Sequence, residues 1–159
     1  MSQTETVGPV TEAVGYMLKK AASALRAALD TALRPLDLTV SQYACLEVLG
    51  QQPGLSGSEL ARAVFVTRQS MNLVLKGLER RGLLTRPAVA GHGRALPTEL
   101  TPAGREQLRA ASQVVRAVEM RMLAGLTPAA ERRLCADLTA CAAALGEDPG
   151  PAGRAETVG

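Results

Sequence analysis

Aromatic side chains are nearly missing from this chain: among 159 residues there is no Trp, one Phe (Phe65) and two Tyr (Tyr16 and Tyr43). Sheets fill their faces with β-branched and aromatic residues, so a core of Ala and Leu points to a mainly α fold. The same shortage disfavours single-stranded or RNA binding, because the basic part of the chain offers only Phe65 as a stacking platform. Histidine is scarcer still. A Ser-His-Asp or Cys-His arrangement would have to use His92, a glycine-flanked loop residue with no nucleophile motif in the sequence. There is no C-x-x-C or H-x-x-x-H spacing for a metal, and Gly91-x-Gly93 is too short for a phosphate fingerprint. The expectation is a protein that is not an enzyme and holds neither cofactor nor metal.

Long apolar runs are missing as well. None approaches the roughly 20 residues that a bilayer span needs, and the polar residues 1–9 lack the layout of a secretory signal. A cytoplasmic protein with no membrane partner is expected. Cys45, Cys135 and Cys141, odd in number and set among helix formers, suit a reducing compartment.

Net charge is only +3, but it is uneven. Between residues 60 and 110 stand nine bases (Arg62, Arg68, Lys76, Arg80, Arg81, Arg86, Arg94, Arg105 and Arg109) against three acids (Glu79, Glu99 and Glu106), so 9 − 3 = +6 there and −3 elsewhere. A basic middle between mildly acidic ends is the footprint of a polyanion site, though an uneven solvated surface reads the same way.

Residues 11–33 predict one long helix, with Val14, Met17, Leu18, Ala21, Leu25, Ala28, Leu29 and Ala32 at the spacing of a single face and Pro35 as its stop. That wide apolar face needs a partner, within the chain or in another subunit. Thr39-x-x-Gln42 has capping-box form and opens a second helix, which Gln52-Pro53-Gly54 ends. Ser56-Gly57-Ser58-Glu59 is a second capping box and opens a short helix over 58–64. Thr67 caps a further helix to about Arg81, with Gly82 as its C-terminal stop. Residues 83–87 and 95–100 are short, partly alternating segments around the glycines of 90–94, which predicts a two-stranded hairpin; Pro87 and Pro97 must then sit where no ladder bond is needed. Thr101-Pro102 opens a long helix to about Ala124, with Leu108, Ala111, Val115, Val118 and Met122 as its stripe. Thr127-Pro128 opens a last one to about Leu145, with Leu134, Leu138, Cys141 and Leu145 on one side. The Gly-, Pro- and acid-rich residues 146–159 predict a disordered tail.

The helix over 67–81 carries the functional reading. Met71, Leu75 and Leu78, with Val74 beside them, would anchor it, while Gln69, Leu73, Lys76 and Arg80 point the opposite way and Arg68 and Asn72 lie toward one flank. Gln and Asn can pair bidentately with adenine, Arg with guanine, and a leucine can cover a thymine methyl. Lys76, Arg80 and the helix N-terminus, where Thr67 and Ser70 sit, are placed for phosphates. Any surface helix has a polar face, so the order of elements decides. A short capped helix, a tight turn, a basic-faced helix and a Gly-tipped basic hairpin make a helix-turn-helix followed by a wing. Arg94 at the tip can reach an adjacent minor groove.

From about residue 38 to 108 the chain resembles the MarR-type winged-helix regulators. The resemblance rests on Leu38-Thr39-x-x-Gln42, Pro53-Gly54-Leu55-Ser56-x-x-Glu59-Leu60-Ala61, Leu78-Glu79-Arg80-Arg81-Gly82-Leu83-Leu84-x-Arg86 and Leu100-Thr101-x-x-Gly104. It implies a homodimer in which the first and last two helices interlock, giving an N-terminal dimerisation helix (11–34), a winged helix-turn-helix domain (38–104) and C-terminal dimerisation helices (105–145). It also implies a sequence-specific repressor of double-stranded DNA, acting on a pseudo-palindromic site and relieved by a small aromatic or lipophilic effector. Tyr16, Met17, Lys20, Tyr43 and Phe65 are the candidates for that effector, combining the few aromatics with a cation for a carboxylate; plain core and surface roles fit them equally well. At the wing the family's acidic brace for its arginine is absent, and Gly91-His92-Gly93-Arg94 carries over only Arg94, which predicts a looser wing. Two alternatives stand beside this reading. One is thiol-based oxidant sensing by the same fold, for which the chain lacks a cysteine near the start of its first helix. The other is a helical protein-interaction module with a basic face.

Overall fold

The computed structural model describes residues 9–86 and 97–146. Six α-helices run in the order α1 (Val14–Leu33), α2 (Val40–Gln51), α3 (Gly57–Ala63), α4 (Arg68–Arg80), α5 (Pro102–Leu123) and α6 (Pro128–Ala144); two short strands, β1 (Leu84–Thr85) and β2 (Glu99–Leu100), fall between α4 and α5. The caps explain most of the starts. Thr39, Ser56, Thr67, Thr101 and Thr127 each hold an extended backbone and accept, through the side-chain oxygen, the amide N–H three residues on. At α2 the box is reciprocal, since Gln42 Oε1 also accepts from the Thr39 amide at 3.0 Å. At α3 the return bond differs from the expected box: Glu59 Oε1 accepts from the Ser56 hydroxyl instead, at 3.1 Å.

The first helix differs from expectation at both ends. Val10–Glu12 is a separate 3-10 turn and α1 begins at Val14, because Ala13 is extended and supplies no side-chain cap. At the far end Pro35 does not stop the chain abruptly. Arg34–Leu36 tightens into a 3-10 turn, and Asp37 then takes a left-handed conformation (φ 55°) that turns the chain into α2.

The core lies where α2, α3, α4 and the strands meet the C-terminal end of α1 and the middle of α5. Leu33, Cys45, Leu46, Leu49, Leu60, Met71, Leu75, Leu78 and Leu84 are sealed from solvent there. The predicted stripe of α5 turns inward through Ala111, Val115 and Val118, but Met122 is exposed. On α1 the stripe fades toward the N-terminus: Ala28, Leu29 and Ala32 are half-buried, whereas Val14, Met17 and Leu18 are exposed. Leu134 and Leu138 of α6 are exposed too, as is Leu145 just beyond it. No described helix is long and apolar enough to cross a membrane.

β1 and β2 pair antiparallel, Leu84 opposite Leu100 and Thr85 opposite Glu99. A further rung lies beside them, since Thr98 N donates to Leu55 O and Gly54 N donates to Thr98 O, both at 3.1 Å. The loop between α2 and α3 is thus hydrogen-bonded to the residue that leads into β2, a pairing that no local sequence pattern marks. With α3, its turn and α4, this is a winged helix-turn-helix. The expected hairpin tip (90–94), Pro87 and the tail beyond Gly146 lie outside the described residues.

Where α5 begins, its first turn lies directly against the backbone of Leu83. A Cβ added at Gly104 would stand 1.9 Å from the Leu83 carbonyl oxygen, a contact that no rotamer change relieves. Gly104→Ala is therefore expected to destabilise the protein by about 1–3 kcal/mol or more. Gly77, inside α4, would meet only Gln42 Nε2 at 3.6 Å, so Gly77→Ala should stabilise by about 0.5–1 kcal/mol through helix propensity. Urea melts of the two variants should move in opposite directions.

Burial pushes the Cys45 thiol up from 9.0 to about 12, while Cys135 and Cys141 are exposed on α6. The fold favours the protonated thiol; its contribution to stability is complete below pH 9 and is lost as the pH rises toward 12. Iodoacetamide at pH 8 should leave Cys45 unmodified in the folded protein and alkylate it in denaturant, as read by peptide mass spectrometry. Alkylation of folded protein at the rate of a free thiol would return Cys45 to consideration as an oxidant sensor.

Candidate nucleic-acid interface

α3 and α4 pack through Leu60 and Ala61 on one side and Met71, Leu75 and Leu78 on the other. Between them Val66 N donates to Ala61 O at 3.0 Å, and Phe65 sits at φ 59°. A bulky residue in the left-handed region is strained, and here it closes the turn with its ring 75% exposed.

With its anchoring face so fixed, α4 presents Arg68, Gln69, Ser70, Asn72, Leu73, Lys76 and Arg80 to solvent. Leu73 is 69% exposed in the middle of that polar face, which serves no internal packing. At the N-terminus Thr67 Oγ1 accepts from the Ser70 amide at 3.1 Å and donates to Ser70 Oγ at 3.0 Å. The first turn of α4 contains no acid, and the helix dipole adds positive potential there. Arg68 is less free than its place on the wheel suggests, because its Nε donates to Ser58 Oγ on α3 at 2.9 Å. That bond aligns the guanidinium along the α3–α4 junction and leaves its Nη groups for other acceptors.

Glu79, the acid of α4, is occupied. Arg86, just beyond β1, donates to its Oε2 from both Nε and Nη2 at 3.2 Å. This pair offsets the acid of α4 and ties the end of β1 to that helix. The acid and base stand in the Leu78-to-Arg86 motif, but their pairing needed the strand's path to be known. Arg94, expected at the wing tip, lies outside the described residues, as does His92.

The effector candidates are distributed over three elements. Tyr16, Met17 and Lys20 are exposed on the first half of α1, and Phe65 is in the α3–α4 turn. Tyr43 belongs to the buried core, its hydroxyl beside Ser112 and Glu47, and burial raises the phenol above its ordinary range so that it remains neutral. None of the five lines any of three clefts of about 350–490 Å³ on the described surface. The largest, about 490 Å³, lies between the end of α1, the start of α2 and the end of α4, and includes Asp30, Arg34, Thr39, Gln42 and Arg81.

The MarR family profile matches residues 36–95. Over 119 residues, 75% of this chain and 86% of the relative, the sequence is 46% identical to the HTH-type transcriptional repressor Rv2887 of Mycobacterium tuberculosis. A crystal structure of that MarR family protein in complex with DNA aligns with a TM-score of 0.68 at 41% identity, covering 81% of this chain and 97% of that chain. Its complex with salicylic acid aligns at 0.66 and 43% identity, covering 81% and 96%. With a helix-turn-helix and paired strands in place and this identity over most of the relative's length, the chain belongs to the MarR family.

Proposed function

We propose that the protein is a homodimeric, sequence-specific double-stranded DNA-binding regulator, a repressor relieved by a small aromatic or lipophilic effector. The observation that carries the reading is the outer face of α4: exposed polar and basic side chains, an acid-free first turn and an exposed leucine stand on a helix whose other face is locked into the core. The repressor Rv2887, solved with DNA and with salicylic acid, supports it.

In this reading 38–104 is the DNA-binding domain, and 11–34 and 105–145 are the dimerisation helices, whose exposed Val14, Met17, Leu18, Leu134 and Leu138 are covered by the second subunit. Gln69, Asn72 and Arg68 read base edges, Leu73 meets a thymine methyl, and Thr67, Ser70, Lys76 and Arg80 hold phosphates. Arg94 is assigned to the minor groove from the sequence alone. Tyr16, Met17, Lys20, Tyr43 and Phe65 remain the effector candidates, with Tyr43 as a neutral donor and Lys20 as the cation for a carboxylate. The protein acts in the cytoplasm, and no catalytic role is assigned to it.

Selection from randomised duplex DNA at near-physiological salt should enrich an inverted repeat with half-sites about 10 base pairs apart; no enrichment would overturn the reading in favour of a protein-binding basic face. On the enriched site, Gln69→Ala and Asn72→Ala are each expected to lose about 1–3 kcal/mol of discrimination at one base position. Arg94→Ala should instead weaken all sites alike. Fluorescence anisotropy on matched and single-substituted duplexes separates the two behaviours.

A further inference from the structure

Two adjacent arginines end α4, and the fold treats them differently. Arg80 is exposed and has no hydrogen bond or ion pair among the described residues. Arg81, the C-terminal cap residue, reaches back to the corner between α1 and α2. Its Nη1 donates to the Asp37 carbonyl at 2.6 Å and its Nη2 to the Leu36 carbonyl at 3.4 Å. The Leu36 carbonyl also accepts from Gln107 Nε2 of α5 at 2.8 Å. These carbonyls lack helical partners because the 3-10 turn Arg34–Leu36 and the left-handed Asp37 break the ladder there. A cation suits that position, since the carbonyl end of a helix is its negative pole.

We infer that Arg81 is a positioning residue, which fixes the tilt of the recognition helix against the dimerisation helices by tying the end of α4 to the α1–α2 corner that Gln107 holds from α5. The inference rests on the DNA-binding reading above and deepens it. At 13 residues α4 is about 20 Å long. A swing of about 10° about its C-terminal end moves its reading end by about 3 Å, on the order of one base-pair step. Two such helices must meet half-sites one turn apart, so a tie at the far end controls register without touching DNA. The other polar ties of α4, Arg68 to Ser58 and Glu79 to Arg86, join it to α3 and to the end of β1 rather than to the α1–α2 corner, and the apolar packing of Met71, Leu75 and Leu78 is non-directional.

The test compares Arg81→Met with the unmodified protein on the selected operator and on versions with one base pair inserted or removed between the half-sites. A positioning role predicts an affinity loss of about 5-fold or more on the natural spacing, a smaller penalty for altered spacing, and an unchanged slope of log affinity against log salt. A phosphate contact would reduce that slope by about 1 and leave the spacing preference intact; that result, or unchanged affinity, overturns the inference. Gln107→Leu provides the second arm, since it loosens the same corner from α5. It should flatten the spacing preference in the same direction, and an unaltered preference there counts equally against the proposal if Arg81→Met does not fold. Failure of the unmodified protein to select any repeat would overturn the DNA-binding reading itself, a distinct outcome.

Discussion

The approach of α5 to the backbone of Leu83 is the constraint from which the winged helix-turn-helix is built. Gly82, left-handed at φ 70°, ends α4 and brings the Leu83 amide back onto the Leu78 carbonyl at 3.0 Å. The Gly82 carbonyl accepts from the Thr101 hydroxyl at 2.6 Å, and the Leu83 carbonyl accepts from the Thr101 amide at 3.1 Å. Gly104 then lets the first turn of α5 close over that carbonyl. In a few residues the end of α4, both strands and the start of α5 become one junction. A side chain at residue 104 would push α5 away and open all of them together.

Charge is arranged around this junction so that neighbouring bases serve different ends. Arg86 is consumed by Glu79, Arg81 by the carbonyls of the α1–α2 corner, and Arg105 donates to the Leu100 carbonyl at 3.2 Å. These contacts are made near the surface, where an ion pair adds little to stability, so their value lies in orientation. The bases left outside such contacts include Lys76 and Arg80, on the face of α4 that turns to solvent. A basic count of nine in the middle of the sequence therefore overstates the bases left for a partner outside the chain, since several are engaged in holding α4 and its neighbours in place.

Burial is strongly uneven along the chain. The end of α1, α2 to α4 with the two strands, and the middle of α5 hold the sealed side chains, whereas the first half of α1 and α6 expose aliphatic residues at helical spacing. Such stripes are costly in water. Their spacing is that of helix packing, and their position at the two ends of the sequence suits the interlocked dimer proposed above.

Local chemistry was legible in the sequence by itself. Each Thr or Ser that precedes a helix does cap it, Gly54 and Gly82 do turn the chain at positive φ, and the Met71, Leu75 and Leu78 stripe does face inward, which leaves Gln69, Leu73, Lys76 and Arg80 outside. Caps, turns and wheel faces depend on residues within about four positions of one another, so the sequence holds the whole cause. Other features depended on groups far apart in the chain. The Gly54 and Leu55 rung to Thr98, the corner held by Arg81 and Gln107, the distinct fates of Arg80 and Arg81, and the burial of Tyr43 away from Phe65 all join elements tens of residues apart. The partners in those contacts are largely backbone carbonyls, which every residue carries and no side-chain pattern marks. Only the folded path of the chain decides which of them is left unpaired, and within reach of which arginine.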